Sequence, residues 1–322
     1  MSSVINVAIH ASQFPENVRR DLLESLRTRQ VNHKFHYDSF KQTQKWLALH
    51  QAYSPSRVDA DCAATYDQSF EAAVERISAS RIHLIGLGCG GGQKDTRLLS
   101  LLKARSKEIF YTPADVSAAM VLVARQAALA AVSEQNCFPL VCDLASADDL
   151  SEALRAQHPS LITFFGMIPN FEPEMILPKL ASLIRSEDFL LFSANLAPGD
   201  DYATGMKQIF PLYDNDLTHE WLLTFLFDLG IERADGELRF AIEDASNGLK
   251  RVVARFYFTR AREIQIEAER FKFPAGESIR LFFSYRHTPK LIRALLNQYD
   301  LTVMEQWITK SEEEGVFLCG RK

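Results

Sequence analysis

The residues of this chain best suited to chemistry are a cluster of glycines and two acids beyond it. Ile82-His83-Leu84-Ile85 is a short apolar run, and Gly86-Leu87-Gly88-Cys89-Gly90-Gly91-Gly92 follows it directly. Glycines in such a turn let the backbone approach a ligand, because no Cβ stands in the way. Asp115 closes the next apolar segment and Asp143 the one after that. A carboxylate at a strand end beyond a glycine turn accepts hydrogen bonds from ribose hydroxyls, so the pattern suits a cofactor that carries a nucleoside. The dinucleotide fingerprint GxGxxG, begun at Gly88, asks for glycine at position 93, where Gln93 stands, and this disfavours a nicotinamide cofactor. The blander alternative is that the glycines only tighten helix–strand packing and the aspartates cap helices, as Asp115 ahead of Val116-Ser117 could.

The elements that must position these groups alternate from about Arg81 to Asn195. Strand-like runs are Ile82–Ile85, Ile109–Pro113, Cys137–Cys142, Leu161–Phe165 and Phe189–Phe192. Helical stretches lie between them at Thr96–Arg105, Ser117–Val132, Ala147–Ala156 and Glu174–Arg185. Short apolar strands separated by helices are the pattern of a parallel sheet covered on both faces. Ser117 suits an N-cap, and Ser146 with Asp149 resembles a capping arrangement.

After Asn195 the rhythm breaks. Ala197-Pro198-Gly199-Asp200-Asp201 reads as a loop, Leu217–Leu229 as an apolar helix, and Arg251–Thr259 as an antiparallel strand with Ile264–Ala268 and Glu269–Phe273 as its neighbours. The chain closes with a helix (Pro289–Tyr299), a strand (Leu301–Ile308), a charged turn (Lys310–Gly315) and a last strand (Val316–Gly320). That ending suits an antiparallel pair at the sheet edge. Nicotinamide-binding sheets do not usually end this way and class I S-adenosylmethionine (SAM) methyltransferase sheets do. The expected fold class is therefore α/β, a class I SAM-methyltransferase Rossmann-like sheet, mostly parallel with an antiparallel last strand, to which the resemblance described below adds a second α+β substrate domain.

With 322 residues, 47% hydrophobic and 24% charged, the chain has the composition of an ordinary globular protein. A net charge of −5, mixed along the sequence, supports neither nucleic-acid nor anionic-membrane binding. Cys62, Cys89, Cys137, Cys142 and Cys319 form no CxxC pair and no Cys/His cluster, so reduced thiols, a cytoplasmic location and no metal are expected. No stretch approaches the ~18 apolar residues of a membrane span. His33, His36, His50 and His83 lack ligand spacing and fit surface or core roles. Cys89 has no visible base for nucleophilic chemistry. The acidic run Glu312–Glu314 is read as a solvated turn, and Trp46 and Trp221 as core positions on helices.

Lys34-Phe35-His36-Tyr37-Asp38, followed by Ala52-Tyr53-Ser54-Pro55-Ser56-Arg57, resembles the N-terminal signature of the histidine Nα-methyltransferase family of ergothioneine biosynthesis. That family also includes fungal tryptophan-derivative N-methyltransferases. The resemblance continues through Gly88-Cys89-Gly90, Lys94, Thr96-Arg97, Asp115-Val116-Ser117, Ile168-Pro169-Asn170-Phe171 and Tyr213-Asp214. It closes with Gly276-Glu277-Ser278-Ile279 leading to Ser284-Tyr285-Arg286. Each match is weak alone, but they occur in family order over nearly the whole chain.

The resemblance implies a SAM-binding domain of residues 58–197 plus 287–322 and an amino-acid-binding domain of residues 1–57 plus 198–286. It implies that Gly88, Gly90, Lys94, Asp115, Asp143 and Leu144 bind SAM, with Asp115 on the ribose and Asp143 facing the adenine amine. It further implies that Tyr53, Asn170 and Tyr213 hold the carboxylate and amine of an amino acid, with Tyr37 close by. Asn170 and Tyr37 are then the candidate catalytic residues, and Phe282 and Ser284 the positions where the side chain is read. Four departures from the family pattern stand out. The acid usual before the glycine turn is replaced by Gly86, the turn is one residue longer, and Pro169 stands where glycine is usual. The family's Thr-Glu-x-Ser is Leu281-Phe282-Phe283-Ser284 here, so the glutamate that binds imidazole in the histidine enzymes is absent. A buried imidazole without its acceptor costs about 1–3 kcal/mol. The expected activity is therefore SAM-dependent N-methylation of an amino acid or amino-acid-derived small molecule other than histidine. An O- or C-methyltransferase, or a non-catalytic SAM-binding scaffold, remains open at this stage.

Overall fold

A computed structural model describes residues 4–53, 59–154 and 157–322. The backbone divides into two compact units: one of Met1–Phe14, Pro55–Leu196 and His287–Lys322, the other of Pro15–Ser54 and Ala197–Arg286.

The first unit is built on an eight-stranded sheet. Its strands are β1 (Ala8–Ile9), β2 (Arg81–Leu87), β3 (Glu108–Asp115), β4 (Leu140–Val141), β5 (Ser160–Phe164), β6 (Phe189–Asn195), β12 (Leu301–Ile308) and β13 (Glu314–Arg321), in the spatial order β1-β4-β3-β2-β5-β6-β13-β12. Pairings from β1 to β6 are parallel, while β13 runs antiparallel to both β6 and β12. This mostly parallel sheet with an antiparallel close is the class I methyltransferase arrangement expected above. The order reverses between β2 and β5, and in open α/β sheets ligands bind outside the strand ends at such a switch point. Every residue of β2 after Arg81 is buried, as a strand covered by helices on both faces requires. Tyr66, Phe70, Leu98, Leu102, Leu84 and Leu161 share that core.

The first residues depart from expectation. Assigned by resemblance to the substrate domain, they instead extend the sheet of the first unit. Ala8 N–H donates to Pro139 O and His10 N–H to Val141 O, so the short β1 covers an otherwise open edge beside β4. The other expected boundary, at residues 57 and 58, lies outside the described residues, as do Ser54, Pro55, Ser56 and Arg57 of the N-terminal signature.

Several elements are shorter than their apolar runs. Only Leu140–Val141 of Cys137–Cys142 pairs as a regular strand, Cys137 making an isolated bridge to Tyr111. Of Ala147–Ala156 the structure shows a helix over Leu150–Ala153, and Arg155 and Ala156 lie outside the described residues. Ser117 caps its helix by accepting from Met120 N–H. Ser146 does not cap, because its hydroxyl donates to Asp143 Oδ2 at 2.8 Å.

The second unit holds a three-stranded antiparallel sheet, β11 (Ser278–Arg286), β8 (Lys250–Phe258) and β7 (Gly236–Asp244), in that order, and a separate hairpin of β9 (Arg262–Ile266) with β10 (Glu269–Phe273). The hairpin strands pair with each other and not with β8, which corrects their expected placement. The helix Asp216–Asp228 is buried at seven positions, including Trp221, Leu222 and Phe225, and packs with Phe35, Phe256 and Phe282 in one core.

Candidate functional site

In the first unit the glycine turn runs from the end of β2 to the helix Gln93–Ala104. Gly88, Gly90 and Gly92 have φ of 62°, 52° and 73°, a left-handed conformation that side chains disfavour. At Gly92 space is also lacking, since a Cβ would lie 2.8 Å from the Cα of Ala124.

Asp115 ends β3 and clamps the turn. Its Oδ2 accepts from Gly90 N–H at 3.0 Å and its Oδ1 from Ser117 N–H at 2.9 Å. Burial raises its pKa, while the N–H groups of Ser117, Gly90 and Val116 oppose that shift. Each carboxylate oxygen retains acceptor capacity, so the group can take ribose hydroxyls as well. Asp143, 4% exposed, follows β4 and is engaged by its own loop: Oδ1 accepts from Ala145 N–H and Oδ2 from Ser146 Oγ. Its N–H donates to Ser12 Oγ at 2.9 Å, and Leu144 beside it is buried. Asn170 lies in a short 3₁₀ turn, Ile168–Asn170, beyond the end of β5.

Lys94, in the first turn of the helix after the glycines, leads to a group that sequence reasoning missed. Its Nζ donates to Tyr66 Oη at 2.7 Å and sits 3.9 Å from the centre of that ring. Tyr66 Oη donates in turn to Glu314 Oε1, and Cys62 Sγ to Glu314 Oε2 at 3.4 Å. Burial, then the neighbouring Glu314, pushes both the Tyr66 and Cys62 pKa values up, so both stay protonated donors. Glu314, read from sequence as part of a solvated turn, is therefore a buried acceptor at the start of β13. The i, i+4 spacing of Cys62, Tyr66 and Phe70 signals a core helix and nothing more.

In the second unit, period-two alternation puts Phe282, Ser284 and Arg286 on one face of β11. Arg286 Nε donates to Tyr213 Oη at 3.0 Å, and Tyr213 Oη donates to Ser284 Oγ at 3.0 Å. Phe282, 8% exposed, has ring centres of Trp221, His33 and Tyr213 at 5.6, 5.7 and 6.4 Å. Tyr37 joins the same set: its Oη is 3.0 Å from His33 Nε2 and its ring is 5.5 Å from Trp221. Burial, then the neighbouring His36, lowers the His33 pKa to about 3, so this imidazole is neutral. The structure thus brings Tyr37, Tyr213, Phe282 and Ser284 together. Tyr53 ends the helix Phe40–Tyr53 with 54% of its surface exposed, and among the described residues no hydrogen bond or ring contact ties it to that set.

A family model described as histidine-specific methyltransferase, SAM-dependent, matches residues 18–321. The chain belongs to that family. It is accordingly a SAM-dependent methyltransferase that acts on a small molecule, and SAM is its cofactor. No curated protein matches the chain. Among solved structures, magnesium protoporphyrin IX methyltransferase from Synechocystis PCC 6803, with bound S-adenosylhomocysteine (SAH), is similar at 14% identity and a TM-score of 0.46, covering 89% of this chain and 97% of that one. The CcbJ methyltransferase from Streptomyces caelestis is similar at 11% identity and a TM-score of 0.41, covering 80% and 96%. An amino pentose methyltransferase from Micromonospora echinaspora, bound to SAM, is similar at 14% identity and a TM-score of 0.37, covering 80% and 92%. Among the described residues no helix of this methyltransferase is long and apolar enough to cross a membrane.

The residues of the first unit fit the cofactor chemically. A left-handed glycine turn, a clamped carboxylate acceptor at Asp115 and the amine of Lys94 are groups that could take its nucleoside hydroxyls and its charged amino-acid end.

Proposed function

We propose that this methyltransferase methylates the amino group of an amino acid or amino-acid-derived small molecule whose side chain is flat and apolar, and not histidine. The observation that carries the reading is Phe282, ringed by Trp221, His33 and Tyr213 at the position where the histidine enzymes carry an imidazole-binding glutamate. An indole suits such surroundings, because aromatic rings stack and meet edge-to-face there without needing a carboxylate. The neutral His33 offers no charge that would take the place of the missing glutamate.

SAM supplies an electrophilic methyl group on a sulfonium. The protein's work is to hold a deprotonated amine in line with that methyl at about 3 Å, which places most of the catalysis in positioning. Asn170 would orient the amine through its side-chain amide oxygen. Tyr213 is set to bind the carboxylate: Arg286 donates to its oxygen, which leaves the hydroxyl hydrogen to be given to Ser284 or to a substrate. Tyr37, fixed against His33, would serve beside it. Gly88, Gly90, Lys94, Asp115, Asp143 and Leu144 would hold the cofactor.

The test is SAH release in the presence of SAM and a panel of amines, for the wild type and for Asn170→Ala. Loss of an amine-orienting group lowers kcat/KM for the accepted amine by about 100-fold. Unchanged turnover in the variant would contradict the residue assignment.

A further inference from the structure

Behind the glycine turn sits a carboxylate that none of the roles above employs. Asp95 is the third residue of the helix Gln93–Ala104 and is 3% exposed. Tyr111 Oη, from β3, donates to its Oδ2 at 2.8 Å. Thr163 Oγ1, from β5, donates to its Oδ1 at 2.8 Å. Between these two strands runs β2, with Gly86 opposite Thr163 and Leu84 opposite Tyr111. A Cβ on Gly86 would lie 2.0 Å from Asp95 Oδ2 and 3.1 Å from its Cγ. The carboxylate therefore fills the side-chain space that Gly86 of β2 leaves, and its hydrogen bonds tie β3 and β5 to the helix into which the turn leads.

That arrangement is not what packing alone would select. A buried carboxylate lowers the stability of the folded state unless its charge is compensated, and two hydroxyl donors compensate it only in part. Burial raises the Asp95 pKa to about 6, against the effects of Tyr111, Thr163 and Lys94. The titratable groups that face it are Tyr111 on β3, Cys89 in the turn and Lys94 on its own helix, while Thr163 on β5 and Gly86 on β2 carry no charge.

We propose that Asp95 is a positioning residue for cofactor binding: lodged in the space opened by Gly86, its carboxylate fixes both ends of the Gly88–Gly92 turn and sets a negative charge behind it for a cationic cofactor. The turn begins two residues after Gly86 and ends three residues before Asp95, so the contact between them closes the loop on itself. The negative charge suits SAM, which carries both a sulfonium and an ammonium. The proposal rests on the cofactor assignment made above.

Calorimetric titration with SAM, together with thermal unfolding, tests it on the wild type, Asp95→Asn, and the double variant Gly86→Asp/Asp95→Ala, which returns a carboxylate from the opposite wall. Asp95→Asn keeps the side-chain volume and an acceptor for Tyr111 but removes the charge. It should weaken SAM binding about tenfold at about pH 8 while raising Tm, because the buried charge is lost. The ratio of variant to wild-type Kd should approach one near about pH 5, where the wild-type carboxyl is protonated too. The double variant should recover most of the affinity. A residue with a purely structural role would lower Tm and change affinity by the same factor at every pH, and that result would overturn the proposal. So would SAM affinity within twofold of wild type in Asp95→Asn at about pH 8. If Asp95→Asn does not fold, the double variant decides, since a folded double variant without SAM affinity also refutes the proposal. A wild-type protein that does not bind SAM would overturn the cofactor assignment, and this proposal with it.

Discussion

Glu314 illustrates how a single residue escapes a reading of the sequence. In Glu312-Glu313-Glu314 nothing distinguishes one acid from the next, and charge runs are ordinarily solvated. Pairing decides the matter: β13 sets Glu314 opposite Asn195 of β6, where Tyr66 and Cys62 reach its carboxylate. Removing this acceptor leaves two buried donors without their partner, at about 1–3 kcal/mol for an unsatisfied group. Glu314→Ala should therefore lower stability by about 2–3 kcal/mol, seen as a lower urea midpoint at unchanged m-value. It should also loosen Lys94, whose ammonium bonds to Tyr66. Asp95 escaped for a similar reason. A longer glycine turn and a missing acid at position 86 are both visible in the sequence, but only the folded strands show Asp95 in that space. The place of Asp115 at the end of β3, by contrast, was legible from an apolar run beyond glycines, a local pattern that needs no tertiary information.

At the scale of elements, strands buried on both faces were the most readable. β2, β3, β5, β6 and β13 lie on or within a few residues of the expected apolar runs. β7 was not anticipated. Its Leu238, Phe240 and Ile242 alternate with Glu237, Arg239, Ala241 and Glu243 at a half-exposed edge, a period-two signal that the sequence does carry. The expected strand Cys137–Cys142 failed in the opposite sense: apolar residues line the segment, but only Leu140 and Val141 meet regular partners on both sides. The C-terminal strand pair is integral to the sheet, not an appendage. Phe317 of β13 is fully buried and directly opposite Phe192 of β6, with the rings stacked 5.3 Å apart. Phe317→Ala removes a fully buried aromatic from the sheet core and should lower stability by about 3–5 kcal/mol in urea denaturation. A cost below about 1 kcal/mol would mean that this pair does not anchor the last strands.

Across the whole molecule, one chain builds two units by leaving the first after Phe14, re-entering it at Pro55, and leaving again from Ala197 to Arg286. The alternation of strand and helix stops in the sequence at Asn195, and the sheet unit ends its long middle segment at Leu196. The return of Ala8 and Ile9 to the sheet was not legible, because β1 pairs over only two residues and carries no strand pattern of its own. The family assignment establishes a SAM-dependent methyltransferase, and the aromatic surroundings of Phe282 bear on what it methylates. Substrate choice is tested by comparing kcat/KM, by SAH release, for histidine and for tryptophan under identical conditions. Tryptophan should be preferred by at least about tenfold, as expected when a buried imidazole lacks its acceptor. Efficient methylation of histidine with little or no turnover of tryptophan would contradict that preference.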